Sequence, residues 1–205
     1  MEKKRSFFNL EETLKQAVET FSVLDPAEVA ANAGVELRED GKTLKVPFID
    51  QIFSVKHPEG KIITTDGEDA SIYLAVIILH YLSTADGKPL KGRWIAYRHL
   101  PGGDIYNDPF YKRAITPFLK TFGERPEDFK KAAAALGGYS VEGSGTSMVI
   151  PVMPRVPICF STWPGDDELP ASANILFDEA ASSYLPTEDY AHLPAIVNGA
   201  MKGKL

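Results

Sequence analysis

Apolar residues near the start of the chain recur at helical spacing, at Leu10, Leu14, Ala17, Val18 and Phe21. A period of three to four residues predicts an amphipathic helix. Asp25 followed by Pro26 is typical of an N-cap with proline in the first helical position. This pair predicts a second, short helix that ends near Gly34.

The pattern changes to short β-prone runs between residues 35 and 65. The predicted strands are Val35–Leu37, Thr43–Val46, Ile49–Val55 and Lys61–Thr65. Two turn sequences, Asp40-Gly41 and Pro58-Glu59-Gly60, separate them. The segment is therefore predicted to form a meander of antiparallel strands.

A long apolar stretch, Ala70–Ala85, is hydrophobic on almost every side. A helix of that kind belongs in the interior, so this one is predicted to be the buried central helix. Asp69 is the predicted cap at its start, and Asp86-Gly87 the predicted stop.

The remaining pattern predicts further strands and helices. The predicted strands are Arg93–His99, Tyr139–Val141, Ser147–Val152, Ile158–Trp163 and Ala173–Phe177. The predicted helices are Pro109–Phe122, which Pro117 should kink or divide, Pro126–Leu136, and a final helix from Thr187 to about Met201.

These elements predict an α+β fold, with a largely antiparallel sheet packed against a buried central helix and flanking helices. The 205 residues are 44% hydrophobic and 24% charged, which is ordinary for a globular protein. The sequence contains no internal repeat or low-complexity linker. We therefore expect a single domain over residues 1–205, with helices and hairpins of about 1–66 packed on a main body of 67–205.

Charge and cysteine content exclude several classes of function. The net charge of −6 comes without clustered Lys and Arg, apart from Lys3-Lys4-Arg5, which is predicted to be a solvated tail. No nucleic-acid partner is therefore expected. Cys159 is the only cysteine, so neither an intramolecular disulfide nor a cysteine-ligated iron–sulfur cluster is expected. Without a signal peptide or an apolar run beyond ten residues (Tyr73–Leu82), the protein is expected to be cytoplasmic, with no membrane partner.

The familiar catalytic and metal-binding motifs are absent from the sequence. Gly143-Ser144-Gly145-Thr146 lacks the lysine of a phosphate-binding loop and predicts a hairpin turn. Cys159 stands in an apolar run, where a thiol is expected to be buried and inert. The four histidines lack the spacing of zinc ligands, so no metal site is predicted. His80 projects from the apolar helix, either as an axial ligand to a tetrapyrrole metal or as a hydrogen-bonded core histidine.

Three adjacent acidic residues, Asp166, Asp167 and Glu168, follow the strand that ends at Trp163. Because the three charges repel one another, they favour a cation, an arginine partner or a raised pKa on one member. The alternative is a solvated acidic turn. Small residues up to Asn174 leave room for a ligand, which makes this loop a candidate pocket rim.

Counter-charges for the acidic loop can come from Arg93, Arg98 or Arg155. Arg98 and His99 immediately precede a glycine turn, where loops commonly carry function. From the sequence, each of these arginines can form a structural ion pair with the acidic loop or bind a ligand. Aromatic residues such as Trp163 and Tyr184 are the expected walls of a small-molecule pocket.

Several short motifs occur together in one order. They are Leu79-His80-Tyr81-Leu82, Pro89-Leu90-Lys91-Gly92-Arg93-Trp94, Leu100-Pro101-Gly102-Gly103, Leu136-Gly137-Gly138, Pro154-Arg155-Val156-Pro157, Gly165-Asp166-Asp167-Glu168-Leu169-Pro170-Ala171-Ser172-Ala173 and Tyr184-Leu185-Pro186-Thr187-Glu188-Asp189. In this order the chain resembles domain-of-unknown-function family 3786, from about Phe7 to Leu193.

The resemblance implies a metabolic context for the protein, but it does not identify a reaction. The family is associated with anaerobic bacteria and archaea, and some members resemble fusions with a cysteine-rich iron–sulfur module like that of the corrinoid protein of acetyl-CoA synthesis. This chain, with Cys159 alone, lacks such a module. The resemblance defines no catalytic residues, but it implies a corrinoid or another tetrapyrrole, such as haem, as a cofactor.

Three functions remain open at this stage. The first is a small-molecule or cofactor-binding domain of anaerobic metabolism that binds a corrinoid or haem-like ring. The second is a non-catalytic interaction protein, for example a homodimer. The third is a hydrolase or transferase in which His99 exchanges a proton with Asp166, Asp167 or Glu168.

Overall fold

The first unit of the fold begins with two helices, α1 (Leu10–Ser22) and α2 (Pro26–Ala33). The computed structural model describes residues 10–143 and 145–203; Lys3-Lys4-Arg5 and Ser144 lie outside these ranges. As the sequence predicts, an Asp25 carboxylate oxygen accepts hydrogen bonds from the first turn of α2. Gly34 ends that helix at a φ of 67°.

A four-stranded sheet follows in the order β1-β2-β3-β4. Its strands are β1 (Glu36–Leu37), β2 (Thr43–Phe48), β3 (Gln51–Lys56) and β4 (Lys61–Ile63). Ile49, predicted to start a strand, lies instead in the two-residue turn between β2 and β3, at a φ of 56°. That turn needs a left-handed backbone, which overrides the extended preference of isoleucine.

Helix α3 (Ile72–Thr84) is buried along most of its length, as its apolar sequence predicts. Helices α1 and α2 both pack against it. The Tyr81 hydroxyl donates a hydrogen bond to the Ala33 carbonyl at the end of α2, at 2.5 Å. The predicted cap is wrong: Ser71 caps α3 by accepting from the Leu74 amide, whereas Asp69 pairs with Lys61.

The second unit contains a five-stranded antiparallel sheet in the order β5-β9-β8-β7-β6. Its strands are β5 (Trp94–Ala96), β6 (Tyr139–Ser140), β7 (Thr146–Met153), β8 (Val156–Trp163) and β9 (Ser172–Asp178). Pro151 and Pro157 stand opposite each other, and the register shifts between Pro151 and Met153. The shift is expected because neither proline has an amide hydrogen for the ladder.

The helices of the second unit are α4 (Asn107–Phe110), α5 (Thr116–Phe122), α6 (Pro126–Ala135), α7 (Thr187–Tyr190) and α8 (Leu193–Ala200). A π-helical turn, Tyr111–Ile115, joins α4 to α5 just before Pro117, the residue predicted to disturb this helix. The predicted final helix is two helices, because Pro194 cannot donate to the Tyr190 carbonyl.

Aromatic side chains form much of the core of the second unit. Phe118 of α5 packs edge-on against Phe160 of β8 and Phe129 of α6, with ring centroids 5.1 and 5.0 Å apart. On β9, Phe177 packs in the same way on Tyr190 of α7, at 5.1 Å. Helices of this unit therefore bury the sheet face that carries Phe160 and Phe177.

Contacts group the chain into two units, residues 1–46 with 51–87 and residues 47–50 with 88–205. The α+β prediction is confirmed, with two antiparallel sheets in place of one. The single-domain organisation stays a prediction. Within the described ranges, no helix has the length and apolar character needed to cross a bilayer; the cytoplasmic location stays a prediction.

Candidate functional site

Helices α1 and α3 lie side by side in the first unit and leave a cleft of about 260 Å³ between them. From α1 the cleft is lined by Thr13, Gln16, Ala17 and Thr20, and from α3 by His80, Ser83 and Thr84. Both sets follow the three- and four-residue spacing that brings side chains to one face of a helix. The cleft therefore contains His80, one of the residues singled out from the sequence.

The lining of this cleft is rich in side chains with hydroxyl groups. The Thr20 hydroxyl donates to the backbone carbonyl of Gln16 at 2.9 Å. The side-chain nitrogen of Gln16 donates to the Glu12 carboxylate at 3.4 Å. The Ser83 hydroxyl oxygen is buried and has no hydrogen-bond partner in the described part of the chain. Since an unpaired buried hydroxyl is costly, Ser83 is the side chain that most favours a bound polar group.

Ser83 also borders a second, smaller cleft of about 110 Å³ on its other side. This cleft lies against α2, with Glu28, Val29 and Asn32 in its wall. Ser83 is thus a residue shared by these two clefts of the first unit.

The acidic loop is a self-contained turn. One carboxylate oxygen of Asp166 accepts from the amides of Glu168 and Leu169, at 2.9 and 2.7 Å, and these bonds hold its pKa below the ordinary value. Both carboxylate oxygens of Glu124 lie 3.3 Å from the Gly165 amide. Asp166 therefore stabilises the loop itself, which favours the solvated-turn interpretation.

The rest of the acidic loop has no cationic partner among the described residues. Asp167 and Glu168 are exposed, as are Arg98 and His99, and no ion pair or hydrogen bond joins the two groups in residues 10–143 and 145–203. Within the same ranges, no group of three or more potential metal-binding side chains is suitably arranged.

Arg155 and the acidic loop lie at opposite ends of β8. Arg155 is in the two-residue turn before β8, whereas Trp163 ends that strand and leads into the loop. Eight residues of strand separate the two ends by roughly 25 Å. The structure therefore does not bring Arg155 to the acidic residues it was predicted to neutralise.

Two other predicted residues serve the sheet and the core. Asn174 stands opposite Ser161, and its side-chain oxygen accepts from the Ile175 amide at 2.9 Å. Tyr184 is fully buried, and its hydroxyl donates to the Lys88 carbonyl, so it holds a loop in place rather than lining a cleft. Cys159 is buried as predicted, and burial raises the pKa of its thiol.

One cluster that no sequence motif indicated joins Arg113 of the π-helical turn to His192. The guanidinium Nη1 lies 3.4 Å from Nδ1 and 3.2 Å from Nε2 of the imidazole. A nitrogen almost equidistant from both ring nitrogens lies over the ring face, not in line with either lone pair. Burial, followed by the charge of Arg113, lowers the pKa of His192, while Asp189 opposes the shift.

Comparison with known proteins identifies a family whose description names no activity. A family model described as "Domain of unknown function (DUF3786)" matches residues 25–199. No curated protein and no solved structure matches the chain.

Proposed function

This chain belongs to the DUF3786 family, and because that description names no activity, we propose from its geometry that the protein binds a small molecule in the cleft between α1 and α3. The observation that carries the proposal is a cleft lined by Ser83, whose buried hydroxyl has no partner in the described part of the chain. A bound molecule that pairs with Ser83 removes the cost of leaving this hydroxyl unsatisfied.

The size of the cleft limits the ligand. Its volume of about 260 Å³ is below the roughly 300 Å³ at which drug-sized pockets begin. Its opening between two neighbouring helices is one of the common positions for ligand sites. The proposed ligand is therefore a small metabolite.

A tetrapyrrole, which the family resemblance implies, fits this lining poorly. His80 offers an imidazole that can ligate a metal, but among the described lining residues Ala17 is the one purely aliphatic side chain. A tetrapyrrole has a broad ring to bury, and the cleft volume of about 260 Å³ is below the range of drug-sized pockets. Cobalamin and haem are accordingly the comparison ligands in the test.

The test is an NMR titration of the full chain with glycerol, acetamide, succinate, phosphate, cobalamin and haem. We expect a polar probe to shift backbone amide signals around the cleft. Thr84→Leu, which fills the cleft, should abolish that shift. Thr116→Leu is the matched control, since Thr116 is exposed in a helix of the second unit. The proposal fails if no polar probe shifts these signals, or if Thr84→Leu leaves the response unchanged.

An interaction role is the second candidate, favoured by the segment from Asp104 to Arg113. Its side chains Ile105, Tyr106 and Tyr111 are 80%, 49% and 48% exposed. The segment carries Asp104 and Asp108 before Lys112 and Arg113, so two copies in antiparallel orientation bring opposite charges together. We propose a second copy of the chain as the partner for this surface.

The self-association proposal has a direct test by sedimentation velocity. A homodimer is expected for the natural chain, and the double variant Tyr106→Ser, Tyr111→Ser should be a monomer. Tyr139→Ser is the control, since Tyr139 is 54% exposed outside this segment. A natural chain that remains monomeric over the accessible concentration range rules this candidate out.

A further inference from the structure

The lining of the α1–α3 cleft contains no lysine, arginine, aspartate or glutamate among the described residues. On α1, the charges of Lys15 and Glu19 pair with each other at the surface, at 4.0 Å. Apart from the imidazole of His80, the described lining offers a bound ion no group of opposite charge. The electrostatics therefore disfavour carboxylates, phosphates and ammonium groups.

The α1 side of the cleft offers acceptors for a hydrogen-bond donor on the ligand. The hydroxyl proton of Thr20 is already committed to the Gln16 carbonyl at 2.9 Å, so its oxygen offers lone pairs alone. One N–H of the Gln16 side chain donates to Glu12, which leaves the side-chain oxygen as an acceptor and the second N–H as a donor.

The α3 side can both donate and accept. The Ser83 hydroxyl is buried without a partner in the described part of the chain, so its proton and its lone pairs are both unused. One ligand hydroxyl can satisfy Ser83 in either direction, whereas an ionised carboxylate can only accept. Hydroxyl groups on the ligand therefore match both sides of the cleft.

From this inventory we infer that the ligand is an uncharged polyol or small sugar that donates hydrogen bonds to the α1 side and pairs with Ser83 on the α3 side. The inference rests on the proposed small-molecule site and specifies the chemistry of its ligand. It is independent of the self-association surface at Asp104–Arg113.

A matched pair of probes tests the class of ligand. Xylitol and xylonate share a carbon chain and differ by one carboxylate; inorganic phosphate and 1,4-diaminobutane represent small ions. Binding is followed by amide chemical-shift changes at the cleft, since polyols at high concentration stabilise any folded protein without binding. We expect xylitol to bind about tenfold more tightly than xylonate, because the cleft leaves the added charge unpaired.

Two variants locate the binding and test the role of Ser83. Ser83→Ala should weaken xylitol binding about fivefold, because it removes one hydrogen bond while leaving the helix intact. Ser182→Ala, at an exposed position of the second unit, should leave binding unchanged. Circular dichroism of each variant verifies the fold.

The outcomes separate this inference from the proposed function. If xylonate, phosphate or 1,4-diaminobutane binds at the cleft more tightly than xylitol, the polyol inference is wrong and the small-molecule site stands. Unchanged xylitol binding in Ser83→Ala likewise overturns the inference. If no probe shifts the cleft signals, both proposals are wrong.

Discussion

Replacement of Asp178 by alanine removes the carboxylate that fastens the end of β9 to the segment before β5. The Asp178 side chain is 2% exposed. One of its oxygens accepts from the amides of Lys91 and Ala180, at 3.0 and 2.8 Å, and the other accepts from Gly92 at 2.7 Å. Asp178→Ala therefore leaves three backbone donors without their acceptor.

The expected loss of stability follows from those three bonds. A hydrogen bond to a charged acceptor contributes about 1.5–3 kcal/mol net, which sums to between about 4.5 and 9 kcal/mol. Lys91 and Gly92 are exposed, so their amides regain water in the variant, whereas Ala180 is buried and its amide does not. The carboxylate also no longer has to be desolvated. We therefore expect Asp178→Ala to lower the free energy of unfolding by about 2–4 kcal/mol.

Urea unfolding followed by tryptophan fluorescence measures the loss of stability in the second unit, which contains Asp178. The two tryptophans of the chain, Trp94 and Trp163, both lie in the second unit, and Trp94 stands opposite Asp178 in the sheet. Their emission therefore reports the unfolding of that unit.

Two further variants separate the buried bonds from surface charge. Asp178→Asn keeps an oxygen for Lys91 and Ala180 and loses the bond to Gly92, so its cost should be about half that of Asp178→Ala. Glu179→Ala removes exposed ion pairs to Lys91 and Arg93, and it should change stability little. The reasoning is refuted if Asp178→Ala costs no more than Glu179→Ala.

Other predictions concern the second unit. The pKa of His192 in the folded protein lies below its ordinary value of 6.5, so the imidazole is protonated at a higher pH in the unfolded chain than in the folded protein. As the pH falls below 6.5, protonation therefore favours the unfolded chain, and the free energy of unfolding should decrease. His192→Gln should flatten this decline in unfolding curves between neutral and mildly acidic pH, and an unchanged slope would contradict it. A Cβ atom at Gly103 would lie 2.1 Å from the Tyr97 carbonyl oxygen, while one at Gly102 meets no atom within 4 Å and adds the smaller strain of a φ of 72°. Thermal unfolding should therefore show a larger loss for Gly103→Ala than for Gly102→Ala, and the reverse order would refute the clash.

Local interactions explain why much of the fold was predictable. The Asp25-Pro26 start and Gly34 end of α2 depend on bonds within a few residues, and the structure confirms both. The burial of α3 was also predictable from its own sequence, because a helix that is hydrophobic all round has no side suited to water. Ile49 shows the limit, since the turn between two strands determined its backbone, against its own preference.

The sequence by itself determined the fold class, most helices and strands, and the position of His80 on a buried helix. Only the tertiary structure decided which groups meet. The cleft exists because a polar flank of α1 packs beside α3, and the unpaired state of Ser83 follows from that packing. Likewise, 79 residues separate Arg113 from His192. Residue spacing determines which face of an element a side chain occupies, whereas the packing of elements determines what that side chain contacts.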